Sequence, residues 1–114
     1  MKFKIFLSLL VVTILFAACG KDTTVPAANV DCTAVTYSGT INPLILQSCG
    51  GSNCHGQNGR QGDLTTYAKL SAYVNNGRFK REVLDNQTMP QGSSLSSEQL
   101  GQIKCWLDAG APQN

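Results

Sequence analysis

The sequence predicts a small all-α domain of about four short helices joined by long loops, on three observations. Four segments space their apolar residues at helical intervals. No segment alternates apolar and polar residues as a half-buried strand does. The last apolar segment carries a full set of helix start and stop signals. At 114 residues the chain has room for one domain, and its opening residues read as something other than domain, so the folding unit is smaller still.

That opening, "MKFKIFLSLLVVTILFAAC", has Lys2 and Lys4 followed by an apolar run from Ile5 to Phe16 that only Ser8 and Thr13 interrupt. A charged start, an apolar stretch too short to span a bilayer comfortably and small Ala17 and Ala18 at its end predict a secretory signal peptide over residues 1–18. "FAAC" resembles the lipobox of bacterial lipoproteins. The resemblance implies lipidation of Cys19, export, and anchoring to a cell-envelope membrane, the outer membrane on its periplasmic or surface face, by acyl chains worth about 0.8 kcal/mol per buried methylene. Residues 19–36 then form the lipidated N-terminus and a tether, since "GKDTTVPAANVDCTAVT" has no helical periodicity. The domain itself is expected at residues 37–114.

Within that domain, "SGTINPLILQSC" predicts a first helix with Ile41, Leu44 and Ile45 inward, Thr40 as N-cap and Pro43 in the first turn, where its missing N–H costs little. Gly56 to Asp63 holds three glycines among eight residues and predicts a loop. "TTYAKLSAYV" follows as a second helix, with Thr65 as cap and Tyr67, Leu70 and Val74 at helical spacing. "GRFKREVLDN" repeats the pattern over a shorter span, with Phe79, Val83 and Leu84 inward. Leu84 to Ser94 is a second loop, in which Pro90 disfavours helical geometry at Met89. The final helix is the best marked: Ser96 and Gln99 make a capping box, Leu100, Ile103, Trp106 and Leu107 an apolar stripe, and Gly110 with Pro112 the stop.

Charge excludes one class of partner. The nine basic residues include Lys2 and Lys4, and losing both leaves seven basic against seven acidic side chains. A nucleic-acid binder needs a basic stripe, and only Arg78, Lys80 and Arg81 cluster here. These three read either as a solvated helix face or as partners for acidic groups. Tyr67, Tyr73, Phe79 and Trp106 read as packing residues. A domain this small with loops this long is short of core and needs a staple or a cofactor.

Export supplies an oxidising setting, in which cysteines are expected to be bonded. In "SCGGSNCHG" Cys49 and Cys54 are separated by four residues and His55 follows at once. A Cys-x-x-Cys-His segment attaches c-type haem. Two thiols add across two vinyl groups of one porphyrin edge while the adjacent histidine reaches the iron. The wider spacing here is filled by small residues, and Gly50 and Gly51 tolerate the backbone angles that would let Cys49 reach. His55 is the only histidine in the chain, and Met89 is the only methionine after residue 18. They are therefore the candidate axial ligands, and methionine ligation implies a relatively high reduction potential.

The run "I-x-P-L-I-L-x-x-C-x4-C-H-G", then "D-L-T-T-Y-A-K-L", "T-M-P" and "L-S-S-E-Q-L-G-Q-I-K-C-W-L-D-A-G-A" resembles a small class I c-type cytochrome domain of an exported lipoprotein, from about Tyr37 to Gln113. The resemblance implies a cytochrome c-like fold around one covalently attached haem c, with Cys49 and Cys54 as thioether anchors, His55 as proximal and Met89 as distal ligand of the iron. It implies packing of the first helix against Leu100, Ile103 and Trp106. It also implies a monomeric electron carrier, not an enzyme, that meets redox protein partners and the membrane but no nucleic acid. The carbonyl that accepts the proximal imidazole N–H is expected within Gly59 to Gly62. Cys32 and Cys105 remain and are expected to form a disulfide, closing a loop of 73 residues worth about 4 kcal/mol in the chain-entropy model. Three other readings stand beside this one: a Cys49–Cys54 disulfide in a non-haem interaction lipoprotein, haem chemistry on peroxide or small gases, and a zinc site, for which Cys49, Cys54 and His55 fall one ligand short.

Overall fold

The computed structural model describes residues 29–114. The expected signal peptide over 1–18, the lipidation at Cys19 and the start of the tether lie outside the described residues. Among the described residues the chain is all-helical, with no β-strand: α1 (Asn42–Ser48), α2 (Tyr67–Asn75), α3 (Arg78–Lys80) and α4 (Ser97–Asp108). A 3₁₀ turn at Cys32–Ala34 and π-helical turns at Tyr37–Ile41 and Arg81–Asp85 complete the regular structure. No described helix is long and apolar enough to cross a membrane.

The first helical run starts earlier than Thr40, the expected cap. Thr36 is extended and its Oγ1 accepts the Gly39 N–H at 3.0 Å. The Thr36 carbonyl accepts from both Thr40 and Ile41 N–H, each at 3.1 Å, which starts the π turn that runs directly into α1. Thr40 thus lies inside a continuous helical run and has no end to cap. The cap of α2 is likewise Thr66, whose Oγ1 accepts the Lys69 N–H, and not Thr65. Thr65 is taken by Asp63, whose Oδ1 accepts from the Thr65 N–H at 2.8 Å and its hydroxyl at 2.6 Å. α3 and the Arg81–Asp85 turn form one rod that buries Phe79, Val83 and Leu84.

In α4 the signals act as the sequence predicts. Ser96 Oγ accepts the Gln99 N–H at 3.2 Å while Gln99 Oε1 accepts the Ser96 N–H at 2.8 Å, a reciprocal capping box. Gly110 ends the helix at a φ of +87°, where a side chain would be strained. The helix buries Leu100, Ile103 and Trp106 and packs against the Tyr37–Ile41 turn, bringing Ile41 and Leu44 into the same cluster. No polar or charged residue is buried among the described residues, so this core is held by apolar area at about 25 cal/mol per Å².

Around Trp106 the chain folds back on itself. Its indole Nε1 donates to the Pro112 carbonyl at 2.9 Å, and its ring lies 6.0 Å from that of Tyr37. Tyr37 meets Tyr67 edge-on at 5.1 Å, and the Tyr67 hydroxyl donates to the Ala111 carbonyl. Asn114 closes the circuit by accepting the Tyr37 N–H on its side chain at 2.7 Å and the Ser38 N–H on its carbonyl at 2.9 Å. At the opposite edge of α4, Cys32 and Cys105 are joined by a disulfide across a Cα separation of 5.2 Å. One helical turn earlier, a Cβ on Gly101 would stand 2.8 Å from Val30 Cγ2, so the segment before Cys32 lies flat on the helix.

Candidate functional site

The helices leave a cavity of about 220 Å³ between the Cys49–Leu64 loop, the α2–α3 corner and the loop after Arg81–Asp85. Cys49, Cys54, His55 and Met89 all line it. Residues 34 to 40 apart in sequence are therefore gathered on one space, together with apolar Leu64, Phe79 and Val83.

The Cys49–Leu64 loop has almost no side-chain core and is built by its own backbone. The His55 N–H donates to the Cys49 carbonyl at 3.0 Å, the Cys54 N–H to Gly51 at 2.9 Å and the Gly56 N–H to Gly51 at 3.0 Å. The Leu64 N–H donates back to the His55 carbonyl at 2.9 Å and ties the exit of the loop to its centre. Such close backbone contacts need glycine. A Cβ on Gly56 would stand 2.5 Å from the Gly50 carbonyl oxygen, and one on Gly59 would run into the Cys54 carbonyl.

His55 is half-buried, and its Nδ1 lies 2.9 Å from the Gly62 carbonyl oxygen. A carbonyl only accepts, so Nδ1 carries a proton and, in the neutral ring, the free lone pair is on Nε2. A metal-binding histidine is held in this way, with one ring nitrogen donating to a fixed acceptor and the other available to the ion. Gly62 falls within the stretch in which the sequence places this acceptor, and its φ of +94° turns the peptide.

The two cysteines differ. Cys49 is buried and Cys54 exposed, and both are free thiols. Burial, with a smaller contribution from nearby Cys54, pushes the Cys49 thiol up to about 11, so at neutral pH it stays protonated.

Met89 reaches the cavity from the other side of the sequence. It is partly buried against the core, and its N–H donates to the Glu82 carbonyl at 3.2 Å, beside the Thr88 N–H at 2.9 Å. That carbonyl is free because the chain is π-helical there. Asn86 N–H turns back to Arg81, and the next carbonyl is left for the loop. The Thr88 hydroxyl adds bonds to the carboxylate and carbonyl of Glu82, and with Arg81 it lowers the Glu82 pKa.

Of the basic cluster, Lys80 pairs with Asp85 at 2.6 Å and Arg81 with Glu82 at 3.0 Å. Only Arg78 lines the cavity, its guanidinium 5.7 Å from the centre of the Tyr73 ring. Tyr73 also lines the cavity, a placement that its helical spacing with core positions does not reveal. Among the described residues no three His, Cys, Asp or Glu side chains form a group that could hold a metal ion by themselves.

No family model, no curated protein and no solved structure matches the chain.

Proposed function

We propose that this chain is a single-haem c-type cytochrome of an exported lipoprotein, carrying one electron at a time between redox proteins of the cell envelope. The observation that carries the reading is the convergence of Cys49, Cys54, His55 and Met89 on one cavity, with the His55 ring fixed by Gly62.

The donor set fits the group. Cys49 and Cys54 are free thiols and would hold haem covalently; His55 through Nε2 and Met89 through sulfur would ligate its iron. Haem, when bound, supplies an iron centre that gains and loses a single electron. Leu64, Phe79 and Val83 offer it an apolar wall, and thereby the additional core that a domain of this size lacks. The Gly62 carbonyl would hold the Nδ1 proton of His55 with haem bound and so fix the ring's orientation as an iron ligand. With Met89 held on the same cavity and His55 the only histidine in the chain, a carrier fits better than a catalyst. Export and the lipid anchor rest on the reading of residues 1–19.

The test is expression of the full chain with a haem-attachment pathway, followed by denaturing electrophoresis stained for covalent haem and a reduced-minus-oxidised spectrum. A stained band is expected; a colourless, unstained one sinks the reading. In the haem protein, Met89→Ala should abolish the sulfur-to-iron charge-transfer band and lower the potential. Persistence of both would move the distal ligand away from Met89.

A further inference from the structure

Gly62 orients His55, and Tyr73 is packed against Gly62. A Cβ on Gly62 would overlap the Tyr73 hydroxyl and stand 3.2 Å from Cζ, so the phenol fills the space that a side chain at 62 would occupy. The ring is held elsewhere as well, since it rides on α2 and carries the Arg78 guanidinium 5.7 Å from its centre. Apart from the Nδ1 bond, the Gly62 peptide is tied only through its N–H to Gly59 at a long 3.3 Å. At a φ of +94° it lies in a region where glycine moves freely. Backbone bonding alone leaves this carbonyl loosely aimed.

We propose that Tyr73 is the positioning residue for His55: its hydroxyl end braces the Gly62 peptide so that the Gly62 carbonyl stays on Nδ1 and Nε2 stays toward the cavity. The contact explains why the position after Gln61 must lack a side chain, and why a tyrosine sits on the cavity side of α2. Its role toward an iron ligand rests on the cytochrome reading; the brace itself is a property of the chain alone.

The two are separated by reading the His55 ring directly. In the full chain as expressed, with any haem it carries held reduced, nitrogen-edited NMR reports which His55 nitrogen is protonated and how fast that proton exchanges with water. Tyr73→Phe, which keeps the ring and removes the hydroxyl, should speed Nδ1–H exchange at least tenfold while the thermal midpoint stays near that of the parent. Gly62→Ala should lose the Nδ1–H signal, since its methyl meets the Tyr73 hydroxyl at a φ that already strains any side chain. Unchanged exchange in Tyr73→Phe, or an Nδ1–H signal that survives Gly62→Ala, overturns the proposal. In the haem-loaded protein the same Tyr73→Phe change should raise the potential, since a histidine that donates less strongly is a poorer electron donor to the oxidised iron. A chain that takes up no haem would sink the cytochrome reading and leave the exchange measurement to decide the brace.

Discussion

The two loops that face each other across the cavity are built on opposite principles. The His55 side is a closed lattice of backbone hydrogen bonds, at least four of them within Cys49–Leu64, in which glycines touch carbonyls. The Met89 side hangs from one carbonyl, that of Glu82, with a threonine hydroxyl beside it. A lattice yields only as a whole, whereas a loop hung from one point swings about it. The contrast teaches that one cavity can be reached by a residue set in a backbone lattice, His55, and by one suspended from a single point, Met89.

The largest change is expected from the frame common to both sides. Cys32→Ser combined with Cys105→Ser should lower stability by about 4 kcal/mol in the chain-entropy model, read as the denaturant midpoint. Both loops should keep their hydrogen-exchange pattern relative to each other. If the melting point does not fall and mass spectrometry of the parent finds free thiols, the disulfide at Cys32–Cys105 is not there.

Glycine substitutions test the contrast itself. Gly59→Ala drives a methyl into the Cys54 carbonyl and should cost about 3 kcal/mol, the upper range for overpacking. Gly92→Ala on the Met89 side meets a positive φ, +77°, as Gly59→Ala does not, but nothing lies within 4 Å of the new methyl. It should cost only the left-handed backbone strain, about 1 kcal/mol. Equal losses in chemical denaturation would erase the distinction between the loops.

The smallest effect is one of pH. Asp63, at the exit of the His55 loop, is held to about 2 by the Lys69 ammonium first and then by Thr65, against an ordinary 3.8. A depressed carboxylate adds stability that is complete above its ordinary value and disappears as pH falls from about 4 toward 2. Asp63→Asn should therefore be slightly less stable than the parent at neutral pH and show a flatter decline in urea midpoint below pH 4. Because the Lys69 end of the pair is exposed to solvent, the difference will be small and weaker in high salt.

Where the fold could be read from sequence, the reason is that one short stretch carried the whole signal. Ser96 and Gln99 mark the start of α4 because both halves of the capping box are local. The start of the first helical run escaped the same reasoning. A π turn has no 3.6-residue signature, and Thr36 caps by bonding Gly39, a pairing that the apolar spacing of Ile41 and Leu44 does not register. Thr65 and Thr66 were indistinguishable as caps until Asp63 claimed the first. At the site, Cys49, Cys54, His55 and Met89 could be singled out by type and scarcity. Tyr73, Glu82 and Gly62 could not, since each acts through a contact with a residue distant in sequence or through a carbonyl, which every residue has.

The fastening of the N-terminal segment to α4 has a mechanical consequence. Force applied to the chain at Asn29 passes Val30 on Gly101 and enters the last helix at Cys105 through a covalent bond. From there it spreads into the Trp106 cluster and the Asn114 clasp. Neither cavity loop lies on that path. A pull on the N-terminal segment is therefore taken up by α4 and the C-terminal residues before it reaches the pocket.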